Sequence, residues 1–286
     1  MKRFLLIGLA VLLLLTAVGF AAYPMIETYV NDKYASEIRT SYEEEVHELD
    51  DTALRETRAA AERYNAALAP VRFSREGITE AAAAYNELLN PTGSGIMGYV
   101  EIPKIQVNLP IYHGTSEAVL EEGVGHLVGS SLPVGGDSTH AVLTGHSGVA
   151  EKKLFSDLDQ LEVGDAFYLK VLGETLAYEV TEIYAVLPHE TELLELVRDE
   201  DLCTLVTCTP FGINSHRLLV RGSRVPYQEE APEAVEIANT PQEPVKSTWK
   251  EQYILGLKTG GGIAAAALLF FAVIMIVRKK RRKEAA

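Results

Sequence analysis

The run Thr204-Leu205-Val206-Thr207-Cys208 has the composition of a buried strand, and it ends at a cysteine. The turn Thr209-Pro210-Phe211-Gly212 follows it, and a second apolar run starts at His216 with Arg217 as its next residue. Strands joined by a short turn pair antiparallel, so Cys208 and Arg217 are predicted to lie side by side. This hairpin is the centre from which the rest of the fold is inferred.

Similar short β-type runs fill the chain on both sides of this hairpin, separated by turns. Few helical segments lie between them, and two short helices are predicted at Ser116–Glu122 and Lys152–Gln160. Seven to eight short strands in about 130 residues predict a mainly β fold, a closed barrel or a sandwich. The predicted strands are Met97–Ile105, Val107–Ile111, Thr139–Thr144, Ala166–Val171, Thr175–Val186, Asp201–Cys208 and His216–Arg224.

The segments before and after the β region differ from it in composition. Residues 27–95 are rich in Ala, Glu and Arg with helical spacing of apolar residues, and they predict a helical stalk broken near Pro70 and Gly77. Residues 96–226 are assigned to the β domain. Residues 227–252 are acidic and contain proline, which is typical of a linker.

An apolar run lies near each end of the chain. Residues 4–22 and 259–277 contain no charged residue, and each run has basic residues on its outer side. Runs of this length predict transmembrane helices, assigned to 1–26 and 253–278, with a basic cytoplasmic tail at 279–286. Both termini would be cytoplasmic and the β domain extracellular. The first run could instead be a cleaved signal peptide.

Charge and cysteine content limit the possible functions. The formal net charge is −14, which argues against nucleic-acid binding because phosphates would be repelled. The two cysteines, Cys203 and Cys208, are five residues apart on one strand, so they face opposite sides and are roughly 16 Å apart, too far for a disulfide. Cys203 is expected to be a buried core residue. An unpaired Cys208 in an extracellular domain suggests chemistry.

Thiol chemistry needs a histidine and an oxyanion donor beside the cysteine. The thiolate attacks, a histidine exchanges protons with the thiol and the amine, and a guanidinium stabilises the tetrahedral oxyanion. His146 is favoured because it ends its strand, whereas His140 lies at the far end of the same strand and His126 is expected in a loop. Arg217 is favoured over Arg221 and Arg224 because it follows the turn. No His and carboxylate spacing predicts a metal site.

Several motifs in order resemble the sortase family of cysteine transpeptidases, and more narrowly class C, the pilus-assembling sortases. The resemblance covers the region from Met97 to Arg224. It is carried by Gly98-Tyr99-Val100-Glu101-Ile102-Pro103, Leu109-Pro110-Ile111-Tyr112-His113-Gly114-Thr115, Gly125-His126-Leu127, Leu143-Thr144-Gly145-His146, Thr204-Leu205-Val206-Thr207-Cys208 and Asn214-Ser215-His216-Arg217. It implies an eight-stranded barrel in which His146, Cys208 and Arg217 are the catalytic residues.

The resemblance also implies a substrate and a binding region. Cys208 would attack the Thr–Gly bond of an LPxTG-like sorting signal on a secreted pilin or surface protein and form a thioester. A pilin lysine amine would then take the acyl group. Substrate would bind at Thr207, Thr209 and the loops 187–200 and 209–215. No cofactor is implied, and the expected partners are the substrate proteins and membrane lipid.

One feature departs from the class C pattern, in which an Asp-Pro-aromatic lid covers the cysteine. This sequence has no Asp-Pro dipeptide, and the nearest equivalent is Pro70 with Phe73. A lid formed by these two residues is therefore a hypothesis. Two other functions stay open: a sortase that anchors proteins to the amine of the peptidoglycan cross-bridge, and a non-catalytic membrane-anchored scaffold.

Overall fold

A computed structural model describes residues 2–68, 85–148 and 152–227. The chain divides into two compact units, and the described residues of the first, 2–21, are helical. The second unit spans residues 22–243 and contains the β domain. Within the three described ranges, no helix is long and apolar enough to cross a membrane. The expected C-terminal span, 253–278, lies outside the described residues.

Helices precede the strands along the chain. Helix α1 is Lys2–Glu48, α2 is Asp51–Leu68 and α3 is Glu117–Glu122. Short 3-10 helices form at Pro103–Ile105, Leu158–Gln160 and Glu192–Leu194. The strands are β1 Ile96–Ile102, β2 Val107–His113, β3 Val124–His126, β4 Thr139–Thr144, β5 Ala166–Val171, β6 Glu174–Val186, β7 Asp201–Thr209 and β8 His216–Val225.

The eight strands close into a barrel, which confirms the predicted fold class. Their order around the barrel is β1-β2-β3-β4-β7-β8-β6-β5. The pairs β2–β3 and β4–β7 are parallel, and the other neighbours are antiparallel. The parallel pair β4–β7 requires a long crossover, which carries residues 145–200 from the end of one strand to the start of the next.

Alternation along the strands separates an inner from an outer apolar layer. Cys203 and Leu205 of β7 join the large core cluster that fills the barrel, together with Leu143 of β4 and Val220 of β8. Val206, the residue after Leu205, points the other way and packs outside the barrel, in a second cluster with Val142, Leu194 and Leu219. Period-two alternation therefore puts Cys203 inside and Cys208 outside, as the sequence predicts.

The helical segment before the barrel is fixed to it by specific polar contacts. The Tyr42 hydroxyl of α1 donates to the carbonyl of Met97 at 3.0 Å. The buried Asn65 amide of α2 forms two bonds with Leu132: its nitrogen donates to the carbonyl at 3.0 Å, and its oxygen accepts from the backbone N–H at 2.7 Å. These contacts attach both helices to the β domain.

Three local predictions were wrong. The first strand ends at Ile102 rather than Ile105, because Pro103 begins a 3-10 helix and cannot donate to the sheet. His126, expected in a loop, lies in the three-residue strand β3. The segment Lys152–Gln160 contains only the 3-10 helix Leu158–Gln160. The predicted helix Ser116–Glu122 forms as α3, with Ser116 as its N-cap.

Candidate functional site

Strand β7 brings the three candidate residues into one row across three neighbouring strands. Cys208 pairs directly with Arg217 on β8. On its other side β7 pairs with β4 in parallel register, Thr144 opposite Val206. Extending that register by two residues puts His146 next to Cys208. The three residues that the sequence singles out therefore lie together at one end of the sheet.

Hydrogen bonds on either side of His146 hold its backbone against β7. The N–H of Gly145 donates to the carbonyl of Val206 at 3.0 Å, and the Ser147 hydroxyl donates to the carbonyl of Cys208 at 2.7 Å. The carbonyl of His146 accepts from the N–H of Phe155 at 3.0 Å. The histidine is thus fixed at the end of β4 although the regular ladder stops at Thr144.

Gly145 is required at its position by close packing. A Cβ atom added there would lie 2.9 Å from the ring of Phe155, closer than side-chain atoms approach. The buried Thr207 hydroxyl donates to the Gly145 carbonyl at 2.8 Å. Thr207 therefore faces inward and fixes the segment that carries His146. Its contact with substrate stays a prediction, and sequence parity already indicated the inward direction, because Thr207 shares the inward face of Cys203 and Leu205.

Cys203 is a poor candidate for the nucleophile. It is fully buried inside the barrel, and burial raises the pKa of its thiol well above the ordinary value. Cys208 is half-buried and lies on the outer face, next to the turn before β8. Its accessibility makes Cys208 the better candidate for the reactive thiol.

Two other candidate histidines, His126 and His140, are buried, and both ring nitrogens of each form hydrogen bonds. Burial lowers the pKa of His126 and of His140 to about 4. His140 Nδ1 donates to the carbonyl of Glu195 at 2.9 Å, and its Nε2 accepts from the Thr204 hydroxyl at 2.7 Å. His126 Nε2 donates to the carbonyl of Ser131 at 2.8 Å, and its Nδ1 accepts from a tyrosine hydroxyl. Both are therefore neutral structural residues.

The arginines differ in what they bind. Arg221 donates to the Glu182 carboxylate at 2.6 Å and to the carbonyl of Leu193, so it holds the loop before β7. Arg224 stacks over the ring of Tyr178 at 5.6 Å. Arg217 donates only to carbonyls of its own turn, those of Asn214 at 3.3 Å and His216 at 3.1 Å. Among the described residues no carboxylate pairs with Arg217, so its guanidinium is available to an oxyanion.

The two loops next to the site have different character. The loop 187–200 is anchored, since Leu194 packs in the outer apolar cluster beneath it and Arg221 binds its backbone. The turn 209–215 exposes Phe211 and Ile213, with 40% and 71% of their surfaces accessible. The Phe211 ring lies against Gly148, beyond His146. The turn thus borders the thiol with exposed apolar side chains.

Sequence reasoning missed one charged neighbour of the site. Glu117, the first residue of α3, has a carboxylate oxygen 3.4 Å from His146 Nε2. A glutamate 29 positions earlier carries no local sequence signal that links it to this histidine. The candidates Cys208, His146 and Arg217 were singled out because each lies at or next to a strand end, and Glu117 does not.

Some expectations lie elsewhere in the molecule or outside the described residues. A cavity of about 310 Å³ lies between α1 and β2, lined among others by Ile38, Arg39, Asn108 and Lys153, and it contains none of the three candidate residues. Across the described ranges no three His, Cys, Asp or Glu side chains cluster as metal ligands would. The lid residues Pro70 and Phe73 are not among the described residues.

Comparisons with known proteins agree with this arrangement. The family model of the sortase domain matches residues 100–225. Sortase D of Bacillus subtilis (strain 168) is 34% identical over 131 residues, which is 45% of this chain and 63% of that protein. Sortase A of Streptococcus agalactiae serotype III (strain NEM316) is 31% identical over 118 residues, 40% of this chain and 47% of that protein. The chain thus spans less than two thirds of these curated relatives.

Solved structures match over a larger share. The crystal structure of sortase C1 from Streptococcus agalactiae is 44% identical, with a TM-score of 0.65, and the match covers 67% of this chain and all of that one. Streptococcus pneumoniae sortase C is also 44% identical, with a TM-score of 0.61, covering 67% of this chain and 97% of that one. Barrel, site and sequence identity agree, and the chain belongs to the sortase family.

Proposed function

We propose that this protein is a membrane-held cysteine transpeptidase that joins pilin subunits. It would cleave an LPxTG-like sorting signal between Thr and Gly and transfer the threonyl group to a lysine amine of another subunit. The observation that carries the proposal is the single row of His146, Cys208 and Arg217 at one end of the sheet. The class C proteins with which the chain shares 44% identity support the choice of substrate, since the Streptococcus pneumoniae structure is described in terms of pilin substrate specificity.

The row of three residues can support acyl transfer in two steps. In the first, the Cys208 thiolate attacks the threonine carbonyl, and the oxyanion that forms is stabilised by the Arg217 guanidinium. The C–N bond breaks, His146 gives its proton to the departing glycine amine, and a thioester remains. In the second step the lysine amine attacks the thioester, His146 takes the amine proton, and the thiolate is released.

The surroundings of Cys208 suit this substrate class. A sorting signal of the LPxTG type presents leucine and proline a few residues before the scissile bond. The exposed Phe211 and Ile213 offer apolar surface beside the thiol, on the turn assigned here to substrate binding. Thr209 and the loop 187–200 complete the proposed binding region. Two apolar spans, 4–22 and 259–277, would hold the enzyme at the membrane where secreted substrates emerge.

The test uses the full-length protein in detergent with a lysine-bearing pilin that ends in a sorting signal. Denaturing electrophoresis should show a ladder of covalent oligomers. Cys208→Ala should abolish the ladder, and Cys203→Ala should retain it, because Cys203 lies inside the barrel. A ladder that persists in Cys208→Ala rules out the thioester mechanism.

The acceptor is tested in the same experiment. A peptide that imitates the peptidoglycan cross-bridge amine is added in competition with the pilin. Capture of the threonyl group by the peptide, with no pilin ladder even when the pilin is in excess, would replace pilus assembly with cell-wall anchoring. Cleavage of the signal followed only by hydrolysis would count against both acceptors.

A further inference from the structure

Helix α3 begins beside the candidate catalytic histidine. The Glu117 carboxylate is 3.4 Å from His146 Nε2, and 76% of the Glu117 side chain is exposed, against 25% of the His146 side chain. The Nε2 atom is itself buried and makes no hydrogen bond to any described residue. The carboxylate oxygen and Nε2 are within ion-pair distance, but they do not form a hydrogen bond in this structure. The histidine thus has one buried nitrogen that lies within ion-pair distance of a carboxylate.

The position of Glu117 is fixed from both ends of its short helix. Ser116 caps the N-terminus by accepting from the N–H of Val119 at 3.4 Å. At the other end Lys152 donates to the carbonyl of Glu121 at 2.7 Å and pairs with Glu122 at 3.2 Å. Both ends of α3 are thus held by hydrogen bonds, and the helix places its first carboxylate beside the imidazole of His146.

We propose that Glu117 is a positioning residue that holds a proton on Nε2 of His146 and so reserves Nδ1 for proton exchange during acyl transfer. The inference rests on the proposed transpeptidase function. A carboxylate beside one ring nitrogen favours the tautomer with its proton there, and it also favours the doubly protonated ring. His146 passes a proton to the departing amine and takes one from the incoming amine through Nδ1. The Nε2 proton stays in place throughout.

Substrate binding should strengthen this contact. Catalytic hydrogen bonds are often long in the free enzyme and tighten in the complex. Glu117 is mostly exposed in the free protein, so water screens its charge there. A peptide over Cys208 would displace part of that water and raise the effect of the carboxylate on the imidazolium form. The contribution of Glu117 is therefore expected in kcat rather than in KM.

Among the described residues, the Cys208 thiol and the Arg217 guanidinium lie in the same row as His146, with Arg217 across β7 from it. Lys152, which binds the other end of α3, pairs with Glu122 at 3.2 Å. A change at Glu117 alters one negative charge and leaves the others in place. Glu121 is the matched control, since its side chain belongs to the same exposed helix and only its backbone carbonyl binds Lys152.

The experiment measures two pH profiles for full-length protein in detergent, with Glu117→Gln, Glu117→Asp and Glu121→Gln. The first is cleavage of a fluorogenic sorting-signal peptide, and the second is the rate of Cys208 alkylation by iodoacetamide. Glu117→Gln should lower kcat by about 2- to 5-fold with little change in KM, and move the alkaline limb of the cleavage profile to lower pH. In the alkylation profile, where the thiolate reacts, the rise of the rate should move to higher pH, because the imidazolium that stabilises the thiolate is less favoured. Glu117→Asp should keep the wild-type position of both profiles, and Glu121→Gln should match wild type.

Superimposable profiles for Glu117→Gln and wild type would overturn the inference, as would an equal shift in Glu121→Gln. The alkylation profile needs no substrate, so it separates this inference from the proposed function. If the wild-type protein does not cleave the peptide but alkylation shifts as expected, the proposed reaction is wrong, and only the effect of Glu117 on the Cys208–His146 pair stands. If cleavage is normal and neither profile shifts, the reaction stands and Glu117 has no positioning role.

Discussion

Arg217 and Arg221 lie on the same face of β8, four residues apart, and their contacts assign them different roles. Arg221 is bonded to Glu182 and to the loop before β7, whereas the Arg217 guanidinium, among the described residues, donates to carbonyls of its own turn and to no carboxylate. An arginine engaged in structure contributes to stability, and one without a carboxylate partner is free to act on substrate. The difference could not be read from the sequence, where both are simply arginines on one predicted strand.

Replacing Arg217 should therefore affect the reaction and not the fold. We expect Arg217→Ala to lower kcat/KM by roughly 10²–10³-fold, the loss typical of one oxyanion donor, with little change in Tm. Arg221→Ala is the matched control and should lower Tm, because its removal leaves Glu182 and the Leu193 carbonyl without their donor. The measurements are peptide cleavage and thermal denaturation, and equal losses of Tm in both variants would contradict the division of roles.

At the scale of single elements, the end of β4 is held to β7 by a side chain that faces the barrel interior. The Thr207 hydroxyl bonds the Gly145 carbonyl, one residue before His146. The sequence placed His146 correctly at a strand end, but it assigned Thr207 to substrate. The inward direction of Thr207 follows from the same alternation that buries Cys203. Strand alternation indicated the direction of the Thr207 side chain better than its position next to Cys208 in the sequence did.

Thr207→Val should lower both stability and activity. Valine keeps the shape but removes the donor, which leaves a buried carbonyl unsatisfied at a cost of about 1–3 kcal/mol. His146 would lose part of its backbone support, so kcat should fall while KM for the peptide changes little. Urea denaturation and steady-state kinetics check these two outcomes. A raised KM with unchanged kcat would instead support the contact with substrate.

Helix α2 depends on one buried side chain for its attachment to the barrel. Asn65 is 4% exposed and exchanges two hydrogen bonds with the Leu132 backbone. Asn65→Ala should destabilise the protein by a few kcal/mol, since a buried N–H and a buried carbonyl lose their partners together. Asn86→Ala is a control on an exposed asparagine. Limited proteolysis should cut near α2 earlier in Asn65→Ala only, and equal proteolysis of the two variants would show that α2 is held by its apolar contacts instead.

At the scale of the whole molecule, two buried neutral histidines make stability depend on pH. The pKa values of His126 and His140 are lowered to about 4 by burial, below the ordinary value of 6.5. Between these values the unfolded chain binds more protons than the folded one, so stability falls as the pH falls. Each neutral histidine makes its full contribution to the free energy of unfolding above pH 6.5, its ordinary pKa. That contribution is lost progressively as the pH falls towards the lowered pKa of about 4.

The midpoint of urea denaturation should therefore decrease between neutral pH and about pH 4.5. His140→Gln should weaken this dependence, because one of the two groups is gone. His189→Gln, on the exposed loop before β7, should leave it unchanged. A His140→Gln variant with the same pH dependence as wild type would show that His140 is not one of the responsible groups.

Patterns that are local in sequence were predictable, and contacts made by the closed barrel were not. The mainly β class, the faces of the two cysteines and the strand-end positions of His146, Cys208 and Arg217 follow from alternation and turns. The choice of a closed barrel over a sandwich came from the resemblance to sortases. The three-residue strand β3 was missed because three residues show no periodicity. Glu117 was missed because only the closed barrel brings α3 next to β4. Nothing in the sequence distinguishes it from the glutamates that follow it in α3.

The parallel pairing of β4 with β7 determines when during folding the thiol becomes reactive. Ser147 and Cys208 are 61 residues apart in sequence and meet only when the crossover between their strands is complete. Such non-local pairings form late, since the entropy of closing the loop must be overcome first. A chain whose crossover is incomplete would thus carry Cys208 with no histidine beside it. The site would be assembled only after the barrel has folded, so an unfolded chain would not take up an acyl group from a substrate.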